Sequence, residues 1–469
     1  MATPVDETRS RRAPRSRSDA RGAQSVLVRV LAAGQPLAGA ARHSLAGLDE
    51  VRFGRGSGIS RQVEQGLRVL DLRVPDPFAS RHHARMVRAG DRWVLEDASS
   101  KNGLRVNGGM QVRRWLEDGD LFEVGETFFV FRSALVIPEA EPPDIAVTPS
   151  SGPAPGMATV LPDLVQAFAD LARVARSPLP ILLRGETGTG KEVLARAYHQ
   201  LSGRSGPLVA VNCGAIPPSL LESNLFGHLR GAFTGATEER RGLVASAHRG
   251  TLVLDEIAEL PLASQSALLR VLHEREVLSL GATRPVPVDL RIVAASSCDL
   301  TERVRAGQFR DDLLARLQGH ELDLPPLRAR REDLGLMLTA LWEQSSGDAG
   351  ASHLSLEAAW ALLSYEWPHN VRELEQTLVA ARALASDVVE LDDLPARVRA
   401  SAVGRAEAST GAPSPRDEVR RAELRALLMS HAGNVSLIAR ELGTSRTQVH
   451  RLCDRFGLDA GAFRGPRQR

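Results

Sequence analysis

The 469-residue chain is 43% hydrophobic and 25% charged. That is the make-up of a globular protein of about three domains, and it excludes wholesale disorder. Its 59 basic and 57 acidic residues leave a net charge of +2, so any surface for nucleic acid must be local. No apolar run reaches the length of a membrane span.

Residues 1–25 hold Arg9, Arg11, Arg12, Arg15, Arg17 and Arg21 with no apolar periodicity. They are expected to form a disordered tail, and without an apolar core they do not read as a secretory leader. Residues 26–137 are short β-type runs, such as Thr127-Phe128-Phe129-Val130-Phe131, punctuated by Asn102-Gly103, Asn107-Gly108 and Asp118-Gly119. This predicts an all-β sandwich.

Within it, Phe53-Gly54-Arg55, Ser80-Arg81-His82-His83 and Asp97-Ala98-Ser99-Ser100-Lys101-Asn102-Gly103 resemble a forkhead-associated (FHA) domain. The resemblance implies that a phosphothreonine protein binds on loops at one end of the sandwich. Arg55 suits a phosphate by charge-assisted bonds, Ser80 by its hydroxyl, and Arg81 and Lys101 by added positive charge. Asn102 is expected to grip the peptide backbone, and His83 to brace the loop from the core. Arg55 and Ser80 stand further apart than the family pattern, which predicts an inserted loop over 56–68. Lys101 replaces a frequent threonine.

Six prolines between 138 and 156 predict a linker. From 157 to 399 apolar strands alternate with helical stretches, an α/β pattern that turns all-helical after about residue 330. Here Leu179-Pro180-Ile181-Leu182-Leu183-Arg184 reads as a buried strand. It runs into Gly185-Glu186-Thr187-Gly188-Thr189-Gly190-Lys191 and then a helical stretch. Strand, glycine loop and helix are the setting of a P-loop, whose backbone N–H groups and helix N-terminus cradle phosphates while the lysine reaches the β- and γ-phosphates. Only two of the 59 basic residues are lysine, Lys101 and Lys191, so lysine at this position carries information. Glu192 stands where a magnesium-binding hydroxyl is usual. Downstream, Gly250-Thr251-Leu252-Val253-Leu254-Asp255-Glu256 is an apolar strand ending in two carboxylates. Asp255 suits Mg²⁺ held through water, and Glu256 suits orientation of an attacking water. ATP and Mg²⁺ are the expected ligands.

Gly231-Ala232-Phe233-Thr234-Gly235-Ala236, following Glu222-Ser223-Asn224-Leu225-Phe226-Gly227-His228, resembles the AAA+ ATPase of bacterial sigma-54-dependent activators. In that family glutamate commonly follows the P-loop lysine. The resemblance implies a loop tipped by Phe233 and Thr234 that touches sigma-54, and a homo-oligomeric, hexameric ring. It implies that Asn212 senses the γ-phosphate through Glu256, that Arg310 and Arg316 act as arginine fingers in trans, and that Arg372, in Trp367-Pro368-His369-Asn370-Val371-Arg372, faces the nucleotide. The chain departs from the family at His369, at Ser296-Ser297 in sensor I, and at Asn224 and Leu229.

Residues 400–415 read as a second linker. In 416–469, eleven arginines stand against six acidic residues. Gly433-Asn434-Val435-Ser436-Leu437-Ile438-Ala439-Arg440-Glu441-Leu442-Gly443 and Thr444-Ser445-Arg446-Thr447-Gln448-Val449-His450-Arg451-Leu452 give the pattern of a helix-turn-helix. Val449, Leu452, Cys453 and Phe456 form its inner face, with Arg446, Thr447, Gln448, His450 and Arg451 turned toward a major groove. It resembles the Fis-type domain of these activators. The whole reads as a cytoplasmic, multidomain transcription activator: an FHA-like sandwich, an AAA+ P-loop ATPase with a helical lid, and an all-α helix-turn-helix. It would remodel sigma-54 RNA polymerase from enhancer DNA, with no membrane involvement. Two rivals are a DNA-bound phosphopeptide adaptor with a degenerate ATPase and an AAA+ unfoldase. The Asp255–Glu256 pair and the finger arginines oppose the first, and the signature loop opposes the second.

Overall fold

The computed structural model describes residues 22–138, 140–233, 236–344, 353–403, 424–441, 446, 449–450, 453 and 458–463. They fall into one unit within Met1–Ala406 and a second within Glu407–Arg469.

The first unit begins with a two-sheet sandwich. Its strands are β1 (Ala23–Ala32), β2 (Ala40–Ser44), β3 (Glu50–Arg55), β4 (Gly58–Glu64), β5 (Leu67–Val74), β6 (Ala84–Ala89), β7 (Arg92–Asp97), β8 (Leu104–Val106), β9 (Gly109–Gln111), β10 (Arg113–Trp115), β11 (Leu121–Val124), β12 (Thr127–Val136) and β13 (Asp144–Val147). One sheet has the order β13-β2-β1-β12-β11-β8-β9 and the other β10-β7-β6-β3-β5-β4. Between them lie Leu27, Phe53, Leu70, Trp93, Leu95, Phe122, Phe129 and Phe131. Phe53 meets Phe122 and Phe129 edge-on, with ring centroids 5.6 and 5.4 Å apart.

Two expectations are corrected here. The stretch over 56–68 is no loop but mainly strand β4, paired antiparallel with β5 along its whole length. The proline-rich 138–156 stretch is no simple linker either, since Asp144–Val147 pairs with Ala40–His43 as an edge strand. Asp144 fixes it there, accepting from Arg61 Nε at 2.6 Å and lying 2.8 Å from His43 Nδ1. These partners hold its carboxyl well below the usual carboxylate range, although burial alone pushes it up.

The α/β core follows as a five-stranded parallel sheet in the order Leu208–Asn212, Thr251–Asp255, Arg291–Ser296, Ile181–Arg184, His320–Asp323. Apolar clusters on both faces, around Leu254 and Leu268 on one and Leu183 and Tyr198 on the other, explain the near-continuous apolar strand sequences. A helical lid comprises Leu334–Gln344, Leu356–Ser364, Asn370–Leu384 and Ala396–Val403. Ser355 caps the second of these by accepting from Ala358 N–H at 3.2 Å.

Sandwich and lid share one core. Val28, Val30, Leu31, Phe128 and Val130 join Leu334, Leu338, Trp342, Trp360 and Leu363 in a single buried cluster. β1 and β12 are thus covered on both faces. Phe128 meets the Trp360 ring edge-on at 5.3 Å, and Trp360 Nε1 donates to the buried Glu123 carboxylate of β11.

In the second unit, residues 424–430 and Val435–Glu441 are helical. Leu424, Leu428, Val435, Ile438, Ala439, Val449 and Cys453 form its core.

Candidate functional site

The phosphate loop lies at the carboxyl end of the parallel sheet, where open α/β sheets bind ligands. Gly185 to Gly190 leave strand Ile181–Arg184, and Lys191 opens helix Lys191–Ser202. Lys191 Nζ donates to Gly185 O at 2.7 Å and Glu186 O at 3.1 Å, and Thr189 Oγ1 donates to Glu186 O at 2.8 Å. Burial lowers the Lys191 pKa, while the nearby Glu256 and Asp255 charges oppose that and Arg372 reinforces it. Arg372 lies against this loop, its N–H 3.4 Å from Gly188 O. Glu192 instead pairs with Arg196 at 2.7 Å on the exposed side of its helix.

The lid grips the loop through its backbone. Gly188 has φ +80°, and a Cβ there would lie 2.3 Å from His369 O. Glycine is required on both counts. Gly188 O accepts from Val371 N–H at 2.9 Å. Asn370, fully buried, donates to Thr187 O at 3.0 Å and to Glu186 Oε2 at 3.2 Å, while its Oδ1 accepts from Leu327 N–H at 2.8 Å.

Strand Thr251–Asp255 delivers the two carboxylates beside this loop. Burial, then the Glu256 charge, pushes the Asp255 pKa up. Glu256 is held at φ +48°, a costly conformation for a non-glycine residue. Its Oε2 accepts from Ser297 Oγ at 2.6 Å. Asn212 sits beside this carboxylate pair, in register with Asp255 on the neighbouring strand. Its Oδ1 accepts from Gly214 and Ala215 N–H at 2.9 and 3.1 Å, and its amide reaches Asp255 Oδ2 only at 3.5 Å. Ser297, which sequence reasoning treated as a departure, is the group that orients Glu256.

Arg310 precedes helix Asp311–Leu317, bound to Asp312 at 2.7 Å and Ser266 Oγ at 3.1 Å. Arg316 is exposed on the same helix, while Leu313, Leu314 and Leu317 face the core. Both arginines are thus presented at the surface.

The signature loop rises from a short pairing of Gly227–His228 with Arg240–Arg241. Gly231 N–H donates to Ala236 O at 2.8 Å and Ala232 N–H to Leu229 O at 3.1 Å. Phe233 is 41% exposed and meets the His228 ring edge-on at 5.0 Å. Thr234 and Gly235 lie outside the described residues.

In the sandwich, Arg55, Arg81 and Lys101 are exposed around Ser80. Ser80 O accepts from Arg55 N–H, and Ser80 Oγ from Lys101 N–H, both at 2.9 Å. The fully buried His83 accepts from Ser80 N–H through Nδ1 at 3.1 Å, so its Nε2 donates to Gly103 O at 3.2 Å. Burial depresses its pKa and keeps it neutral, which is the bracing role expected. Asn102 donates to Phe78 O at 2.7 Å, orienting its own loop.

In the second unit Arg446 and His450 are exposed while Val449 and Cys453 are buried. Thr447, Gln448, Arg451, Leu452 and Phe456 lie outside the described residues. No helix among the described residues is long and apolar enough to cross a membrane.

Comparison with known proteins finds a sigma-54 interaction domain over residues 158–323, an AAA+ ATPase lid domain over 328–410 and an FHA domain over 51–125. The chain is 40% identical over 306 residues to the transcriptional regulatory protein GlrR of Escherichia coli, covering 65% of this chain and 68% of that one. It is 43% identical over 301 residues to the acetoin catabolism regulatory protein of Cupriavidus necator, covering 62% and 45%. It therefore spans less than half of the latter relative's length. A crystal structure of NtrX from Brucella abortus in complex with ATP matches at 31% identity and a TM-score of 0.46, covering 65% of this chain and 69% of that chain.

Proposed function

Because this chain belongs to the family of sigma-54-dependent transcriptional regulators, we propose that it hydrolyses ATP to remodel the closed complex of sigma-54 RNA polymerase. One observation carries the reading. Lys191, Asp255, Glu256 and Arg372 share one electrostatic neighbourhood at the carboxyl end of a parallel sheet, beside a glycine loop. Loop amides and Lys191 bind the β- and γ-phosphates. Asp255, a carboxylate destabilised by burial and by its neighbour's charge, suits a hard cation, and Mg²⁺ held there through water would neutralise phosphate charge. Glu256, fixed by Ser297, orients the attacking water. Arg310 and Arg316, presented at the surface, act on the phosphates of a neighbouring subunit in a hexameric ring.

The exposed Phe233 and its loop carry the stroke to sigma-54. The sandwich reads a phosphothreonine protein through Arg55 and Ser80, and the C-terminal unit holds the protein on enhancer DNA through Arg446, Thr447, Gln448, His450 and Arg451 in the cytoplasm. To test the activity, the full chain is incubated with sigma-54 RNA polymerase and promoter DNA, and melted bases are detected by permanganate. Melting is expected with ATP and not with a non-hydrolysable analogue. Melting with both, or with neither, contradicts the reading.

A further inference from the structure

Residues 327–335 join the parallel-sheet core to the lid, and their contacts go to two different neighbours. Toward the phosphate loop, Arg328 Nη1 donates to Glu186 Oε2 at 2.8 Å, and the buried Arg330 donates to Thr189 O at 2.7 Å. Toward the sandwich, Glu332, 2% exposed, pairs at 3.1 Å with Arg132 of β12, which also pairs with Asp118 at 3.4 Å. Gly335 lies so near β1 that a Cβ would stand 1.6 Å from Val30 O. Between these, the fully buried Asp333 accepts from Thr159 Oγ1 at 2.7 Å and Val160 N–H at 2.8 Å. Arg42 of β2 closes the same corner by donating to Val160 O at 2.6 Å.

Arg330 and Glu332 are two residues apart. A shift of the sandwich therefore cannot be absorbed before it reaches the phosphate loop, because close-packed interiors transmit strain. Breaking the Arg132–Glu332 pair leaves the buried Glu332 carboxylate without its partner, which is costly, so the pair resists being pulled apart.

We propose that Arg132 and Glu332 are positioning residues for the nucleotide. Through them the sandwich sets where Arg328 and Arg330 hold the phosphate loop, and so acts as a built-in regulator of nucleotide affinity. This rests on the reading of the loop as an ATP site and names how that site is regulated. Coupling of this kind is reciprocal, so nucleotide must also tighten the sandwich.

The test uses the full chain with Arg132→Gln, Glu332→Gln and the double variant. Arg85→Gln, which removes a pair with Glu96 on the other sheet, is the control. ATP binding is measured directly, kcat at saturating ATP, and amide hydrogen exchange in β1 and β12 with and without ATP. Each single variant is expected to weaken ATP binding about fivefold or more with a smaller change in kcat, and the double variant to be no worse than the weaker single one. ATP should slow exchange in β1 and β12 in the wild type and not in the variants, with the control like wild type. Affinities within about twofold of wild type, or exchange in β1 and β12 indifferent to ATP, overturn the proposal. Arg132 is partly exposed, so Arg132→Gln decides alone if Glu332→Gln does not fold. A wild type that binds ATP without hydrolysing it defeats the ATPase reading and leaves this test intact, while one that binds no ATP defeats both.

Discussion

Glu256 shows how much chemistry one residue concentrates at this site. It sits in a left-handed backbone conformation at the end of a buried strand, and a serine hydroxyl 2.6 Å away fixes its carboxylate. Glu256→Gln keeps the shape and removes the charge that orients water. Hydrolysis should fall by about 10²-fold or more while ATP affinity stays at the wild-type level. Steady-state kinetics beside equilibrium nucleotide binding check this. Arg55, by contrast, is exposed at the end of β3, and its backbone N–H donates to Ser80 O. Arg55→Ala should leave the sandwich folded and cut the preference for a phosphothreonine peptide over its unphosphorylated twin by roughly tenfold. Calorimetric titration with matched peptides measures it. At this scale the sequence made the phosphate loop, both carboxylates and His83 legible, because each sits in a local pattern with a physical meaning. It did not reveal Ser297, Asn370 or Arg330. Their partners lie 41, 183 and 141 residues away, and nothing local distinguishes a buried, bonded polar side chain from a solvated one.

Among the elements, β1 and β12 hold the fold's least expected feature. Thr127-Phe128-Phe129-Val130-Phe131 does not alternate, and the structure shows why: Phe129 and Phe131 fill the sandwich while Phe128 and Val130 face the lid. A run without alternation signals a strand covered on both faces. That much was readable, but which element covers the second face was not. Strand β13 was hidden among prolines, which mark linkers and edge strands alike.

The covered face buries Glu123 beside Trp360, and burial pushes its pKa from 4.5 to about 7. Between those values the unfolded chain releases a proton that the folded chain keeps. Stability therefore falls as pH rises through this window and levels off above it. Glu123→Gln retains an acceptor for Trp360 and cannot ionise. Relative to the variant, the wild type should lose on the order of 3 kcal/mol between about pH 5 and pH 8. Urea unfolding of both proteins at the two pH values gives the difference. Asp333, pushed up to about 6 by burial, titrates in the same direction in both proteins and cancels.

At the scale of the molecule, one chain links a phosphate-binding loop, a lid, and a sandwich that shares the lid's core. The FHA sandwich and the ATPase core were legible because short strands with turn punctuation give way to alternating strands and helices. The fusion of sandwich and lid was not, since it rests on contacts between segments more than two hundred residues apart, such as Trp360 with Glu123. The central claim is that energy released at the phosphate loop leaves the molecule through the signature loop. Phe233 is 41% exposed there and touches His228. The most direct test compares Phe233→Ala with wild type in the full chain, measuring ATP hydrolysis and promoter opening by sigma-54 RNA polymerase in the same preparation. The account predicts hydrolysis within about twofold of wild type and opening reduced tenfold or more, as for loss of an aromatic interface anchor. Unimpaired opening, or hydrolysis and opening lost together, would contradict it.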